Sequence, residues 1–525
     1  MIPPAAPPTA PGQPRPWWES RAFVVAMVLL AAVPLLYPPI PPLVDLLGHM
    51  GRYRVELDIG TSPFLKTYYA FRWSVMGNLG VDLLVWPLGK LIGLEPAVKL
   101  IVIAIPMMTV AGMLWVAREV HHRLPPTVMF ALPFAYGHHF LFGFVNYALS
   151  VALALLAFGL WLRLGRLRKY RLRAALFVPI SFLVWTCHTF GWGMLGLLAF
   201  SADAVRNHDE GRGWLRSAFR AALHAAVLSL PILLMLAWRE GGGGITTDWF
   251  NWRNKWFSVH TVLRDRWREW DLVSFALTAI MLLFAIVHPR LTLSRMLTFT
   301  ALVLLAAFAL LPRLIFGSAY ADMRLMPFVV AFFLLAIRFR RETDYRLARV
   351  LAVVALTFLL ARTASVTASL AIAADDQREK LAALDKVPMG ARVLSLVGVQ
   401  CRDRGWALWR NGHIGGMTIV RREGLTNNHW ENPGAQLLVN VYEPAGRFRY
   451  DPSQLVRDPR CRLALPRPVN VSLANFPREA FDYVWLVDPP AFNPRLLGDA
   501  ELIHQGRGVY LFRLRPPAAE APPRG

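Results

Sequence analysis

The chain has 525 residues, of which 55% are hydrophobic and only 17% are charged, with a mean hydropathy of +0.38. That is too little polar surface to solvate a globular protein of this size, which excludes a single soluble domain and points to lipid as the surrounding medium. The formal net charge is +23, but the Lys and Arg residues gather in short loops between apolar runs rather than on one basic and aromatic face, so the charge reads as membrane topology and excludes nucleic acid as a partner.

In chain order, residues 1–21 read as a disordered cytoplasmic tail, because the proline-rich stretch 3–16 cannot hold a helix. The apolar run 22–37 follows Arg15 and Arg21 and is not followed by a small-x-small cleavage site, so it reads as an uncleaved first span. Apolar runs recur at 97–117, 127–136, 147–162, 174–187, 190–204, 221–238, 272–287, 296–311, 326–337 and 350–370, to be set against the roughly 20 residues a helix needs to cross a bilayer. Basic clusters at 118–123, 163–173, 206–220, 288–295 and 338–349 mark the cytoplasmic side. About eleven spans then place the N-terminus inside and the C-terminus outside. Keeping 163–173 inside requires that 75–94, which contains Asn78, Asp82, Pro87 and Lys90, lies in the outer interface as a helix instead of crossing.

The unusual polar residues fall on the outer side. In the outer loop 38–94, a proline run, Pro38, Pro39, Pro41 and Pro42, leads into Asp45, His49 and Arg52, whose spacings of four and three residues put all three on one helix face. A carboxylate beside an imidazole and a guanidinium can take a proton from a hydroxyl, bind a divalent metal or hold a phosphate; the same residues also suit an ordinary solvated helix with an i,i+4 ion pair. His138 and His139 precede the turn 143–146, His188 ends an apolar span, and Asp322 with Arg324 opens another. Such groups are costly at membrane depth and are functional candidates by default. The loop 239–270 carries Gly241–Gly244 and then Trp249, Trp252, Trp256, Trp267 and Trp270; its glycines lack phosphate-loop spacing, so it reads as a mobile loop with an aromatic interfacial helix.

After the last span, 375–386 reads as a polar helix, and 391–399, 436–442, 482–487 and 509–514 as short strands. The segment 371–515 is long enough for a core of its own, an α/β or α+β domain, followed by a disordered tail at 516–525. Asn427, Asn428, His429 and Trp430 offer amide donors and an aromatic face that suit a sugar, although an ordinary loop has the same composition. With this domain outside, Cys401 and Cys461 are expected to pair.

The overall class is therefore mostly α: a polytopic transmembrane bundle over 22–370 with a C-terminal extracytoplasmic domain. In this layout, and in the stretch 41–52, the chain resembles the C-type glycosyltransferases (GT-C), multi-span enzymes that take sugar from a polyprenyl-phosphate carrier. The resemblance implies an inverting glycosyltransferase in the bacterial inner (cytoplasmic) membrane, working on its periplasmic face. Asp45 would be the general base, with His49 and Arg52 beside it. Arg324 would stabilise the leaving phosphate with help from His138 or His139, and His188 and Asp322 would complete the substrate-binding set. The donor would be a polyprenyl-phosphate-linked hexose or pentose, and the acceptor a hydroxyl of a glycan, lipid or protein. Many members carry two adjacent acids in this loop, whereas Asp45 stands between Val44 and Leu46. A divalent ion, Mg or Mn, held by Asp45 and His49, is therefore an open alternative. A lipid or polysaccharide transporter or flippase, or a non-catalytic envelope-polysaccharide assembly protein, would share the same layout.

Overall fold

The computed structural model describes residues 16–237, 245–315, 318–340, 345–399, 405–430, 436–461 and 466–515. It divides into two compact units: Met1–Tyr37, Val75–Leu84 and Lys99–Leu370 form one, and Pro38–Ser74, Val85–Val98 and Ala371–Gly525 form the other. The Gly241–Gly244 run, Cys401 and residues 1–15 and 516–525 of the expected tails lie outside the described residues, while the end of the expected N-terminal tail is ordered as the turn Trp17–Glu19 leading into the helix at Arg21.

The first unit is helical. Among the described residues five helices are long and apolar enough to cross a membrane: Leu94–His121, Val145–Arg166, Tyr170–Cys187, Arg268–Val287 and Tyr345–Lys386. Shorter apolar helices run over Arg21–Leu35, Arg295–Leu310 and Met326–Leu335. Arg268–Val287 shows what solvent these helices are built for. Its inward face buries Asp271, Ser274, Thr278 and Ala285, while Val273, Leu277, Ile280, Leu283 and Ile286 are exposed. A helix that hides its polar side and bares its apolar side is inverted for water and correct for a bilayer. The protein is a multi-pass membrane protein.

Charge inside this unit is paired. Arg173 and Asp203 lie 2.7 Å apart, as do Arg362 and Asp271, while Lys255 and Asp322 are 3.0 Å apart, and all six side chains are almost fully buried. Small residues allow close helix approach: a Cβ at Gly191 would lie 2.2 Å from Ser150 Oγ, so Thr189–Asp209 seats directly against Val145–Arg166.

Two expected spans have a different form. Residues 127–136 make two buried 3-10 turns, Val128–Phe130 and Leu132–Tyr136, because Pro125, Pro126 and Pro133 deny the backbone an α-helical ladder. The run 221–238 is divided by Pro231 into the end of the amphipathic helix Trp214–Ala225, a 3-10 turn over Ala226–Ser229 and the short helix Pro231–Ala237. The helix expected within 75–94 forms as Gly80–Ile92 and leaves Leu83, Leu84, Trp86 and Leu91 exposed.

The second unit is α/β. Its seven-stranded sheet is built on Arg392–Val399, buried along most of its length. Tyr483–Val487 lies parallel to it on one flank and is followed by antiparallel Val509–Arg513 and Glu501–Gly506. On the other flank Leu425–Thr426 pairs with the start of the central strand and Leu455–Arg457 with its end, the latter carrying Arg467–Pro468. All four expected strands form, but Leu438–Asn440 joins a different partner: it pairs antiparallel with Tyr69–Phe71, with Tyr69 opposite Asn440. The outer loop was grouped by sequence with the helices. The structure instead folds Pro38–Ser74 into this second unit, because Val55, Leu65 and Tyr69 share one core with Leu394, Ile419 and Leu486. The polar helix expected at 375–386 is the continuation of one long helix, Tyr345–Leu381.

Candidate active site

Asp45 follows the proline run by three residues and holds the N-cap position of the helix Leu46–Asp58 without a side-chain capping bond, and the amide of His49 hydrogen-bonds to its carbonyl at 3.1 Å. The face carrying Asp45, His49 and Arg52 also carries Gly48. A Cβ at Gly48 would lie 2.7 Å from Cη2 of Trp430 and 3.2 Å from the Cβ of His413, so glycine is what lets these two rings reach the helix. The His413 ring then sits 4.2 Å from that of Trp430, and the His49 ring 5.0 Å from it. Arg52 donates to the Gln436 side-chain oxygen.

The loop that delivers Trp430 is tied to the central strand. Asn427 Oδ1 accepts from the Ser395 amide at 2.8 Å, and Asn427 Nδ2 donates to Ser453 Oγ at 3.2 Å. Asn428 Nδ2 donates to the His413 carbonyl at 2.9 Å, and the Asp451 amide donates to the His429 carbonyl at 2.8 Å. The loop Asn427–Trp430 is thus an anchored wall, with Asn427 as its fastening.

His413 Nδ1 lies 3.4 Å from the Asn428 carbonyl, an oxygen that only accepts, so Nδ1 carries the proton and Nε2 is an acceptor. Nε2 faces Asp45 Oδ1 at 3.8 Å. Two acceptors at that separation, too long for a hydrogen bond, are suited to a hydroxyl that donates to one of them. Asn428 Oδ1, His429 Nε2 and His49 Nδ1 are buried nearby without a hydrogen-bond partner. Buried polar atoms left in this condition are costly unless a ligand completes them. The three imidazoles are held neutral. Burial and the Arg52 guanidinium keep His49 well below its ordinary value, burial with Arg52 and His413 pushes His429 down to about 3, and burial lowers His413 against the upward pull of Asp451.

The remaining candidates lie in the helical unit. His188 stands in extended backbone between Tyr170–Cys187 and Thr189–Asp209, and its Nδ1 accepts from the Phe190 amide at 3.1 Å. Its Nε2 lies 3.2 Å from Arg324 Nη1. Arg324 Nη2 also donates to Ser318 Oγ and the Ala319 carbonyl, and the guanidinium packs over Phe144 at 4.5 Å. The His139 ring is 4.9 Å from Phe328, and both ring nitrogens of His138 are buried without a hydrogen-bond partner. Asp322 is committed elsewhere: Lys255 lies 3.0 Å away and donates its other hydrogens to the Phe308 and Leu311 carbonyls.

The structure therefore gathers Asp45, His49 and Arg52 with His413, His429, Trp430 and Gln436, and gathers Arg324 with His188. His413 and Gln436 were not singled out from the sequence, since neither belongs to a motif. Among the described residues no three His, Cys, Asp or Glu side chains form a group that could hold a metal ion. Cys461 is disulfide-bonded and Cys187 is a free thiol.

No protein-family model matches the chain, and no curated protein matches it. Among solved structures it is similar to the crystal structure of ArnT from Cupriavidus metallidurans bound to undecaprenyl phosphate, over 94% of this chain and 97% of that one, at 10% identity and a TM-score of 0.49. No residue of this chain takes a role from that likeness.

Proposed function

We propose that this protein is a membrane glycosyltransferase that moves a sugar from a polyprenyl-phosphate carrier to an acceptor hydroxyl on the non-cytoplasmic face of a bacterial inner membrane, with inversion and with Asp45 as general base. The observation that carries the reading is the pair of acceptors, Asp45 Oδ1 and His413 Nε2, 3.8 Å apart against the face of Trp430. The acceptor hydroxyl gives its proton to Asp45 while its oxygen bonds to the anomeric carbon. The bond from that carbon to the phosphate oxygen breaks, and its electron pair leaves with the lipid phosphate. Trp430 offers an apolar face to a sugar ring, and Asn428 and His429 offer hydrogen-bonding atoms to its hydroxyls.

In the helical unit, the Arg324 guanidinium beside His188 suits an anion, which supports the phosphate-binding role assigned to Arg324. The basic loops support a cytoplasmic N-terminus, and the disulfide at Cys461 agrees with an oxidising compartment for the second unit. Asp45→Asn keeps the shape and removes the base. In proteoliposomes supplied with a panel of polyprenyl-phosphate pentoses and hexoses, its transfer rate should fall by roughly 10²–10⁴-fold with donor binding retained. A rate close to wild type would remove the proposal.

A further inference from the structure

The helical unit also holds a cavity of about 560 Å³ that has no part in the chemistry above. Its walls come from the C-terminal end of Leu94–His121, from the turn Trp17–Glu19 and from the short ribbon in which Leu291–Leu293 pairs with Ile337–Phe339. The ribbon register sets Arg338 opposite Thr292, and both line the cavity.

The lining is basic. Arg123, Arg338 and Arg340 face it with His121 and His122, and among the described residues the carboxylate in the lining is Glu19, 4.0 Å from Arg123. Arg340 holds its guanidinium in place by donating from Nε to the Leu291 carbonyl at 2.9 Å. His121 donates from Nε2 to the Leu335 carbonyl at 2.8 Å, so its Nδ1 is an acceptor and takes no part in holding an anion. Trp18 and Phe339 supply an apolar wall beside these groups. Guanidinium groups with an adjoining apolar wall are the parts needed to hold a phosphoryl group with a hydrophobic attachment. Basic pockets between membrane helices at the basic-loop end of a bundle are suited to lipid phosphates.

We infer that this cavity is a binding site for a phosphoryl anion, taken either from an anionic phospholipid headgroup or from free phosphate. The full-length protein in detergent, titrated calorimetrically with dihexanoyl phosphatidylglycerol, dihexanoyl phosphatidylcholine and inorganic phosphate, tests it. Saturation at one equivalent by phosphatidylglycerol, more tightly than by phosphate, assigns the site to a lipid headgroup; equal or tighter saturation by phosphate assigns it to the free anion. In both cases the double variant Arg338→Gln, Arg340→Gln should weaken binding roughly 30-fold, and Arg338→Lys, Arg340→Lys should retain most of it. Failure of the wild type to saturate with either anion overturns the inference without reference to any variant. So does equal binding of phosphatidylcholine, or a double Gln variant of unchanged melting temperature that binds like wild type.

Discussion

A glycine placed between an acid and an imidazole decides how close an aromatic wall can come. Gly48→Ala should add about 0.5–1 kcal/mol of helix propensity, yet its Cβ would meet the Trp430 ring at 2.7 Å. Overpacking of about 1–3 kcal/mol opposes that gain, so the expected outcome is a melting temperature that holds or falls slightly while sugar transfer drops by roughly 10² from a displacement of about 1 Å. A variant that keeps full transfer would separate Trp430 from the reaction. His429 gives a second handle. Its folded value is pushed down to about 3, so below its ordinary 6.5 the unfolded chain takes up a proton that the folded chain refuses. Stability is fully present above that value and is lost as pH falls from 6.5 toward 3, by about 2 kcal/mol at pH 5. Melting at pH 5 and pH 7 should therefore differ less in His429→Asn than in wild type. Asp45, His49 and Arg52 were legible because helical spacing alone puts them on one face. His413 was not, because what brings it to Asp45 is the packing of Gly416–Arg422 on the helix Leu46–Asp58, a contact between distant parts of the chain.

Among the elements, the membrane helices were legible where apolar runs were long, since composition alone meets the bilayer's requirement. The run 127–136 departs from a span because its prolines end the helical ladder while its Val, Met, Phe, Ala and Leu residues keep the run apolar. The short strands Leu425–Thr426 and Arg467–Pro468 were missed because two residues carry no periodic signal. Buried pairs set the tolerance of the helices to change. Arg362 donates to Asp271 at 2.7 Å and to the Leu263 carbonyl at 2.9 Å. Arg362→Met leaves the Asp271 charge buried and should cost about 3–5 kcal/mol, whereas Arg362→Met with Asp271→Leu should recover most of it. Thermal melting of the two variants in detergent checks this, and a double variant no better than the single one would assign the loss to packing.

At the scale of the whole molecule, the second unit is discontinuous in sequence. Pro38–Ser74 brings to it the helix Leu46–Asp58 and the strand Tyr69–Phe71, and with them part of its core. A fragment beginning at Ala371 should therefore be digested rapidly by a nonspecific protease, while the same fragment fused to residues 38–74 should resist; equal resistance of the two would show that the C-terminal part is self-sufficient. The sequence did suggest a C-terminal domain, from strand-like runs after the last span. It gave no sign of this borrowing, because the pairing of Tyr69 with Asn440 depends on backbone hydrogen bonds that leave no mark on side-chain pattern.

That pairing also sets a clock. Ribosomes add ~5–20 residues per second, so Tyr69–Phe71 emerges roughly 20–70 s before Leu438–Asn440 is made. Until then its backbone donors and acceptors stand open, an edge that unrelated strands can join. Quality control of this protein is therefore concentrated in its birth: an early-made ribbon waits in an adhesive state, and only a nearly finished chain can quench it.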